Sequence, residues 1–432
     1  MKTNIIWFRR DLRLHDNCAL YHALKDGRPV VPIFIFDTNI LNTLESKIDP
    51  RVSFIYSALQ KMQAELGRMS CSLEVYHGAP VEIFKALIRQ HDIVQVFANH
   101  DYENYALERD LEIGILLRNS GIKFSTYKDH VIFEKDEVVK ENGTPYTVFT
   151  PYSRRWLAKL SGFYLRSYPC EKYFTNFNKE SVKPLPSLES IGFQQSKMIF
   201  PDKALNKSTL MDYEEVRDVP GKNATSRLGI HLRFGTLSIR DVGRTAQMFS
   251  PVFLKELIWR DFYQAICWHS ANVRAGKAFK PDYDFIEWRN NEDEFNKWCK
   301  GITGYPIVDA GMRQLNETGF MHNRVRMIVS SFLSKHLLID WRWGEAYFAM
   351  KLLDYEFASN NGGWQWAVGS GCDAAPYFRI FNPYLQTEKF DPQHIYIKQW
   401  VPDYKELTYP PVIVEHEFAR NRCLSVYRKA LN

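Results

Sequence analysis

Seven cysteines in 432 residues, at 18, 71, 170, 267, 299, 372 and 423, contain no CxxC pair. An odd, scattered set argues against a disulfide framework and structural zinc and suits a reducing cytoplasm. Long apolar runs are missing as well. The run Val30–Phe36 has seven residues, whereas a helix crossing a bilayer needs about twenty. The opening stretch MKTNIIWFRRDLRLHDN puts three arginines in its first 13 positions and has neither an apolar h-region nor a small-residue cleavage site. HExxH, the phosphate loop GxxxxGK followed by Ser or Thr, and GxGxxG are all absent. Metalloprotease, P-loop NTPase and ordinary NAD dehydrogenase chemistry are thereby disfavoured. These absences predict a soluble, cytoplasmic, untargeted protein with no membrane partner and no metal site.

What is present is ordinary globular composition, 45% hydrophobic and 25% charged, which excludes disorder and fibrous repeats. The length exceeds one ordinary core and suggests about three folding units. Residues 1–150 carry a net charge of −2 and residues 151–432 a net of +8. A basic later part is a mild footprint of a polyanionic partner. Nine of the eleven tryptophans lie between Trp259 and Trp400. Indole is bulky and wants a partner for its N–H, so this density asks for more than core filling.

The first 130 residues alternate strand and helix signals. Asn4–Phe8, Val30–Phe36, Leu73–His77 and Ile93–Ala98 read as buried strands, and Val52–Leu66, Val81–Gln90 and Tyr105–Asn119 as helices. The alternation predicts a parallel sheet with helices on both faces, of Rossmann-like α/β class. Its ligand edge would be the loop Arg9–Asn17 after the first strand. Asn142-Gly143 reads as a hairpin turn. From about Ser161 to Asp202, prolines, serines and isolated aromatics predict a connection lying over the surface. Beyond Tyr213 the pattern is helical: a helix from an N-cap at Ser238 toward Phe249, then Pro251–Ser270, Asp309–Thr318, His322–His336 and Trp343–Asp354. The expected division is an α/β domain over 1–130, a linker over 131–202 and an all-helical domain over 203–432.

Four clusters in the helical part bear chemistry. Glu256, Trp259, Arg260 and Tyr263 stand at i, i+3, i+4 and i+7. A wet surface face with an internal Glu–Arg pair would explain them cheaply. Leu257, Ile258 and Phe262 make other sides of that helix apolar, however, so the polar stripe is read as lining a cavity. In Met321–Met327, Asn323, Arg326 and Met327 share a face, with Arg324 turned about 100° away and free for phosphate; a helix start with scattered charge is the equal alternative. Leu353-Asp354-Tyr355-Glu356 precedes Ala358–Trp366, where Gly362-Gly363 between amides and tryptophans suggests close approach to something flat. The plain alternative is a helix C-cap followed by core aromatics. Finally, Ala224-Thr225-Ser226-Arg227-Leu228 could open a helix and hold a phosphate, or be a simple N-cap.

Jointly these stretches resemble the photolyase/cryptochrome family, and within it the class I cyclobutane pyrimidine dimer photolyases. The likeness runs from Trp7–Asn17 (WFRRDLRLHDN) through Thr225–Leu228 (TSRL), Glu256–Tyr263 (ELIWRDFY), Thr303–Leu315 (TGYPIVDAGMRQL) and His322–Met327 (HNRVRM) to Leu338–Glu345 (LIDWRWGE) and Asn360–Pro383. It implies that the antenna-type α/β domain is followed by a helical FAD- and DNA-binding domain. Thr225, Ser226, Arg227, Leu228 and Gly229 would form the phosphate loop, with Tyr213 at its entrance. Arg260, Asn323, Arg326, Asp354, Tyr355, Glu356 and Asn360 would line the flavin, with Arg326 and Asp354 paired and Asn360 facing N5. Glu256, Trp259, Asn323, Met327 and Trp366 would wall a pocket for the flipped-out dimer, and Arg217 and Arg324 would contact the DNA backbone. Trp364, Trp341 and Trp288 would carry an electron from the surface to the flavin. The implied activity is light-dependent DNA repair by a carbon–carbon lyase, deoxyribodipyrimidine photo-lyase in reaction type. Photoexcited reduced FAD would be the electron donor, UV-damaged DNA the substrate and a monomer the working form. Glu256 would hydrogen-bond the pyrimidine edge through a protonated or proton-sharing carboxyl.

The sequence departs from the family pattern in places. Gly229 stands where many relatives have serine, and Glu356 where the bacterial pattern often has aspartate. Tyr105-Ala106 replaces the Asn-Glu pair of folate-binding relatives, and Arg274 replaces their lysine. These departures count against a folate antenna and leave a deazaflavin, a second flavin or an empty site open. The rival readings are a cryptochrome photoreceptor, a six-four photolyase and a non-catalytic nucleic-acid-binding protein. Glu256, Met327 and Trp366, and a chain ending at Asn432 without a long tail, stand against the first. His322-Asn323 in place of a His-His pair stands against the second, and an inward polar helix face against the third.

Overall fold

The computed structural model describes residues 2–431. Five parallel strands, β1 (Lys2–Phe8), β2 (Val30–Asp37), β3 (Glu74–Gly78), β4 (Asp92–Asn99) and β5 (Lys123–Tyr127), form one sheet in the order β3-β2-β1-β4-β5. Trp7 lies opposite Ile33, and Ile5 opposite both Val31 and Val96. β1 and β2 are buried almost throughout, as central strands covered on both faces must be. The fifth strand had no clear sequence signal because Lys123–Tyr127 is only half-buried at the sheet edge.

Helices α1 (Cys18–Lys25), α2 (Pro50–Gly67), α3 (Pro80–Gln90) and α4 (Asn104–Asn119) accompany the strands. Their starts follow local chemistry: Asn17 caps α1 through the Leu20 N–H, and Asp49 followed by Pro50 opens α2. Phe84, Leu87, Ile113 and Leu117 pack on Trp7, Ile33 and Val96 in one apolar core.

Two compact units divide the chain. The first comprises the residues up to Glu134 together with Leu160–Ala204 and Arg227–Thr245. The stretch expected to run over the surface instead packs into this unit. Leu165, Cys170, Phe177, Leu188, Ile191 and Phe193 are buried, and the Asn178 N–H bonds the Val30 carbonyl. Isolated aromatics between prolines were therefore anchors into the first unit's core, each too far from the next to show a period. Residues 227–245 join the same unit through buried charge. Asp129 receives Arg13 at 2.6 Å and Arg240 at 2.8 Å, and Arg240 also holds Asp16 at 2.8 Å. Burial alone would raise the Asp129 carboxyl, yet the two arginines hold it at about 2. Arg13 and Asp16 of the RRDLRLHDN stretch thus serve the fold.

The second unit comprises Lys135–Lys159, Leu205–Ser226 and the residues from Ala246 onward. Gly143, at φ 78°, makes the turn that closes the Val139–Pro145 bridge. Its helices include α5 (Phe149–Lys159), α6 (Pro251–His269), α7 (Pro306–Thr318), α8 (Asn323–Ser331), α9 (Trp341–Lys351), α10 (Phe357–Val368) and α11 (His416–Leu431). Beyond Ser331 the backbone continues as a π-turn over Phe332–His336. A Cβ on Gly311 would meet Val325 at 2.5 Å and Val329 at 2.9 Å, so glycine there lets α7 and α8 approach closely. Among the described residues no helix is long and apolar enough to cross a membrane, no disulfide forms and no acidic, histidine or cysteine group is placed to hold a metal ion.

Candidate active site

The second unit brings α10 against α6, α8 and α9, and that packing gathers the candidate residues. The NNGGWQW stretch lies inside a helix, not after a helix C-cap. Glu356 is the N-cap of α10, and the helix runs to Val368, with Gly369 in the left-handed conformation ending it. Gly362 is required where it stands, because a Cβ would run into the Tyr263 ring of α6. Around Gly363, by contrast, a Cβ would meet no atom within 4 Å. Gly363 thus faces open space between Asn360 and Trp364.

Glu256 and Arg260 of α6 do not pair with each other. Arg260 donates to Glu356 at 2.9 Å, with both side chains largely buried, and Glu256 receives Arg217 at 2.5 Å. Burial pushes the Glu256 carboxyl above its usual range, against the opposing pull of Arg217. Trp259 lies face to face with Phe149 of α5, ring centroids 3.7 Å apart and planes 3° apart. Phe149 belongs to the site and escaped the sequence reading, since a lone phenylalanine a hundred positions away carries no pattern.

On α8, His322 is the N-cap, its Nδ1 accepting the Arg324 N–H. Asn323 is exposed, and Arg326 and Met327 are half-buried. Arg326 donates to Asp354 at 3.0 and 3.2 Å, and through Nε to the Met321 carbonyl at 2.8 Å. Arg324 is not free. It holds Asp218 at 2.9 Å, lies over the Phe390 ring at 4.2 Å and approaches the Met327 sulfur at 3.6 Å. Tyr355 is half-buried beside Glu356, and Trp366 half-buried on α10.

Asn360 donates through its side-chain amide to the Glu345 carboxyl at 2.9 Å and to the Glu345 carbonyl at 3.1 Å. Glu345 sits on α9, one turn after Trp341, and is a second residue the sequence did not reveal. Trp364 is buried, and its aromatic neighbours are Phe348 at 5.0 Å and Trp298 at 6.1 Å. Its indole N–H has no hydrogen-bond partner among the described residues. Trp341 is buried in the same core, and Trp288 is half-buried against it, edge-on to Tyr427.

The Thr225–Gly229 stretch is placed differently from a simple N-cap. Tyr213 is buried edge-on to Phe253, and Thr225 and Ser226 are half-buried loop residues of the second unit. Arg227, Leu228 and Gly229 belong to the first unit. There Arg227 takes φ 50°, and Leu228, without a side-chain cap bond, precedes a five-residue helix starting at Gly229.

Around α10 the arrangement offers two arginine–carboxylate pairs, an oriented amide and an open space beside a glycine. That set suits a flat organic group whose edge presents both donors and acceptors.

Comparison with known proteins agrees with this picture. The family model described as DNA photolyase matches residues 4–172, and that described as the FAD binding domain of DNA photolyase matches residues 253–408. A deoxyribodipyrimidine photo-lyase of Vibrio cholerae is 36% identical, with 99% of each chain covered. The crystal structure of an archaeal photolyase from Sulfolobus tokodaii with two FAD molecules has TM-score 0.85 and 34% identity, covering 99% of this chain and 100% of the other. A cryptochrome from Synechocystis has TM-score 0.82 and 25% identity, with 99% of each chain covered.

Proposed function

The chain belongs to the DNA photolyase family, and from that premise we propose that it splits cyclobutane pyrimidine dimers in DNA in a light-dependent reaction, as the class I enzymes do. When bound, FAD in its fully reduced anionic form supplies the photoexcited electron that opens the cyclobutane ring, and it takes that electron back. The residues present fit such a group. Gly363 leaves space, and Arg260–Glu356, Arg326–Asp354 and the Asn360 amide supply the charges and hydrogen-bonding groups that a flavin edge needs. Asn323 and Tyr355 complete the lining in this reading, and Tyr213, Thr225, Ser226, Arg227, Leu228 and Gly229 the phosphate loop.

The observation that carries the dimer-repair reading is Glu256. It is a carboxyl raised by burial on the same helix face as Trp259, whose ring is held flat by Phe149. Released from Arg217 and protonated against the substrate, this carboxyl donates to a pyrimidine carbonyl and stabilises negative charge developing there. Trp259, Met327 and Trp366 supply apolar walls that exclude water, and Arg217 and Arg324 meet DNA phosphates once released from Glu256 and Asp218. Flipping out a dimer is easier than flipping a normal base, because the dimer already distorts the stack. Trp364, Trp341 and Trp288 serve as the chain that re-reduces the cofactor, and the protein acts as a monomer in the cytoplasm. An antenna, whether deazaflavin, folate or a second flavin, is identified by mass spectrometry of the chromophore released from the native protein.

The test mixes chemically reduced, flavin-loaded protein with an oligonucleotide holding one thymine dimer, in the dark and under blue light. Recovery of thymine absorbance only under light is expected. The likeness to a cryptochrome makes signalling the second reading, and absence of recovery in both aliquots would put it, or six-four repair, first.

A further inference from the structure

The two arginines read as DNA-backbone contacts are both occupied. Arg217 lies 2.5 Å from Glu256 and Arg324 lies 2.9 Å from Asp218. Arg217 and Asp218 are consecutive residues. They follow the short helical turn Tyr213–Val216, which packs on α6. Glu256 is on α6 and Arg324 on α8. This two-residue strap therefore ties two helices with opposite polarity: its cation holds an acid of one, and its acid holds a cation of the other.

Three of these groups, Arg217, Glu256 and Arg324, are those the proposed function places at the lesion and the DNA backbone. Asp218 is 40% exposed and Glu256 29% exposed at the side chain. The exposed Asp218 end makes its pair with Arg324 the weaker of the two and open to exchange with a competing anion. Arg324 is kept in place by more than its acid, because the Phe390 face and the Met327 sulfur remain when Asp218 leaves. The guanidinium is thus pre-oriented, and only its anion changes.

We propose that Asp218 is a specificity-determining residue that occupies Arg324 in place of a DNA phosphate, and that lesion binding displaces it. With undamaged DNA the strap stays closed and Asp218 stays on Arg324, because opening it works against both ion pairs. With a lesion in the pocket, Glu256 exchanges Arg217 for the pyrimidine edge, one anchor of the strap is already gone, and Asp218 leaves Arg324 more easily. Undamaged duplex is therefore disfavoured more than damaged duplex. Arg324 as a phosphate contact and the lesion as a pyrimidine dimer both rest on the reading above, but the exchange of Asp218 for phosphate is tested without the lesion.

The test uses flavin-loaded protein in the dark and two duplex oligonucleotides, one undamaged and one carrying a single thymine dimer, titrated between 50 and 200 mM salt. Asp218→Asn should bind undamaged duplex about fivefold tighter. It should gain less on the damaged duplex, and its log–log salt dependence on undamaged duplex should steepen by about 0.9, the signature of one more neutralised phosphate. In an Arg324→Gln background the same substitution should do nothing. Unchanged affinity and salt slope in Asp218→Asn would overturn the proposal. So would an equal gain in the Arg324→Gln background, because the effect would then be bulk charge. If the unmodified protein failed to prefer the damaged duplex, the repair reading would fall, while the undamaged titrations would still decide the exchange.

Discussion

Glu345 holds Asn360: the amide of one donates to the carboxyl of the other at 2.9 Å and to its carbonyl at 3.1 Å. Two bonds to one residue fix the amide plane, which makes Glu345 a positioning residue for whatever Asn360 faces. Burial raises the Glu345 carboxyl, and the Asn360 bond pulls the other way.

Glu345→Ala removes the carboxyl and leaves the Asn360 amide only the backbone carbonyl at 345. Flavin content should stay near normal, while repair under chemical reduction falls by about tenfold, or about 1.4 kcal/mol, the size of one lost hydrogen bond. Glu345→Gln keeps an acceptor and should recover most of the rate. Equal losses in both variants would show that charge matters rather than position.

Trp364→Phe should slow photoreduction of the oxidised flavin by at least about tenfold, while leaving repair intact when the flavin is reduced chemically. Flash absorption and the repair assay read the two separately. Trp298 is the nearest indole to Trp364, at 6.1 Å, so Trp298→Phe asks whether that ring or Trp341 passes the charge. A chain through Trp341 predicts that Trp298→Phe keeps most of the photoreduction. Loss as deep as in Trp364→Phe would reroute the chain.

Acid should weaken the second unit through two buried imidazoles. Burial lowers His322 to about 4, with Asp218, Arg324 and Arg326 facing it, and His336 to about 3, beside His416, Arg422 and Lys335. Both rings stay neutral in the fold, while the unfolded chain takes up protons near pH 6.5. Their contribution is complete above pH 6.5 and is lost as pH falls toward 4, about 3 kcal/mol for His322 over the whole window. Melting temperature should drop between pH 6.5 and 4.5. His322→Asn keeps an acceptor for the helix start and should flatten that drop. An unaltered slope would leave the acid sensitivity to His336.

Much of the fold was legible from local pattern. Buried strands such as Val30–Asp37 announce themselves as apolar runs, and α6 from Pro251 as an apolar helix opened by Ser250. Lys123–Tyr127 and the 160–204 stretch did not, because a half-buried edge strand and widely spaced anchors lack a repeating period. The residue types of the site were legible too, since Glu256, Trp259, Arg260 and Tyr263 share one helical face whatever surrounds them. Their partners were not. Glu256 and Arg260 stand four residues apart, the spacing of a helical ion pair, yet each pairs elsewhere, with Arg217 and Glu356. Phe149 on Trp259, Glu345 beneath Asn360 and Asp218 on Arg324 likewise join residues from separate elements. Sequence periodicity determines which side of an element is apolar and which bears charge, because that follows from the backbone's own repeat. Which charge meets which depends on how the elements pack, and only the tertiary structure decides that.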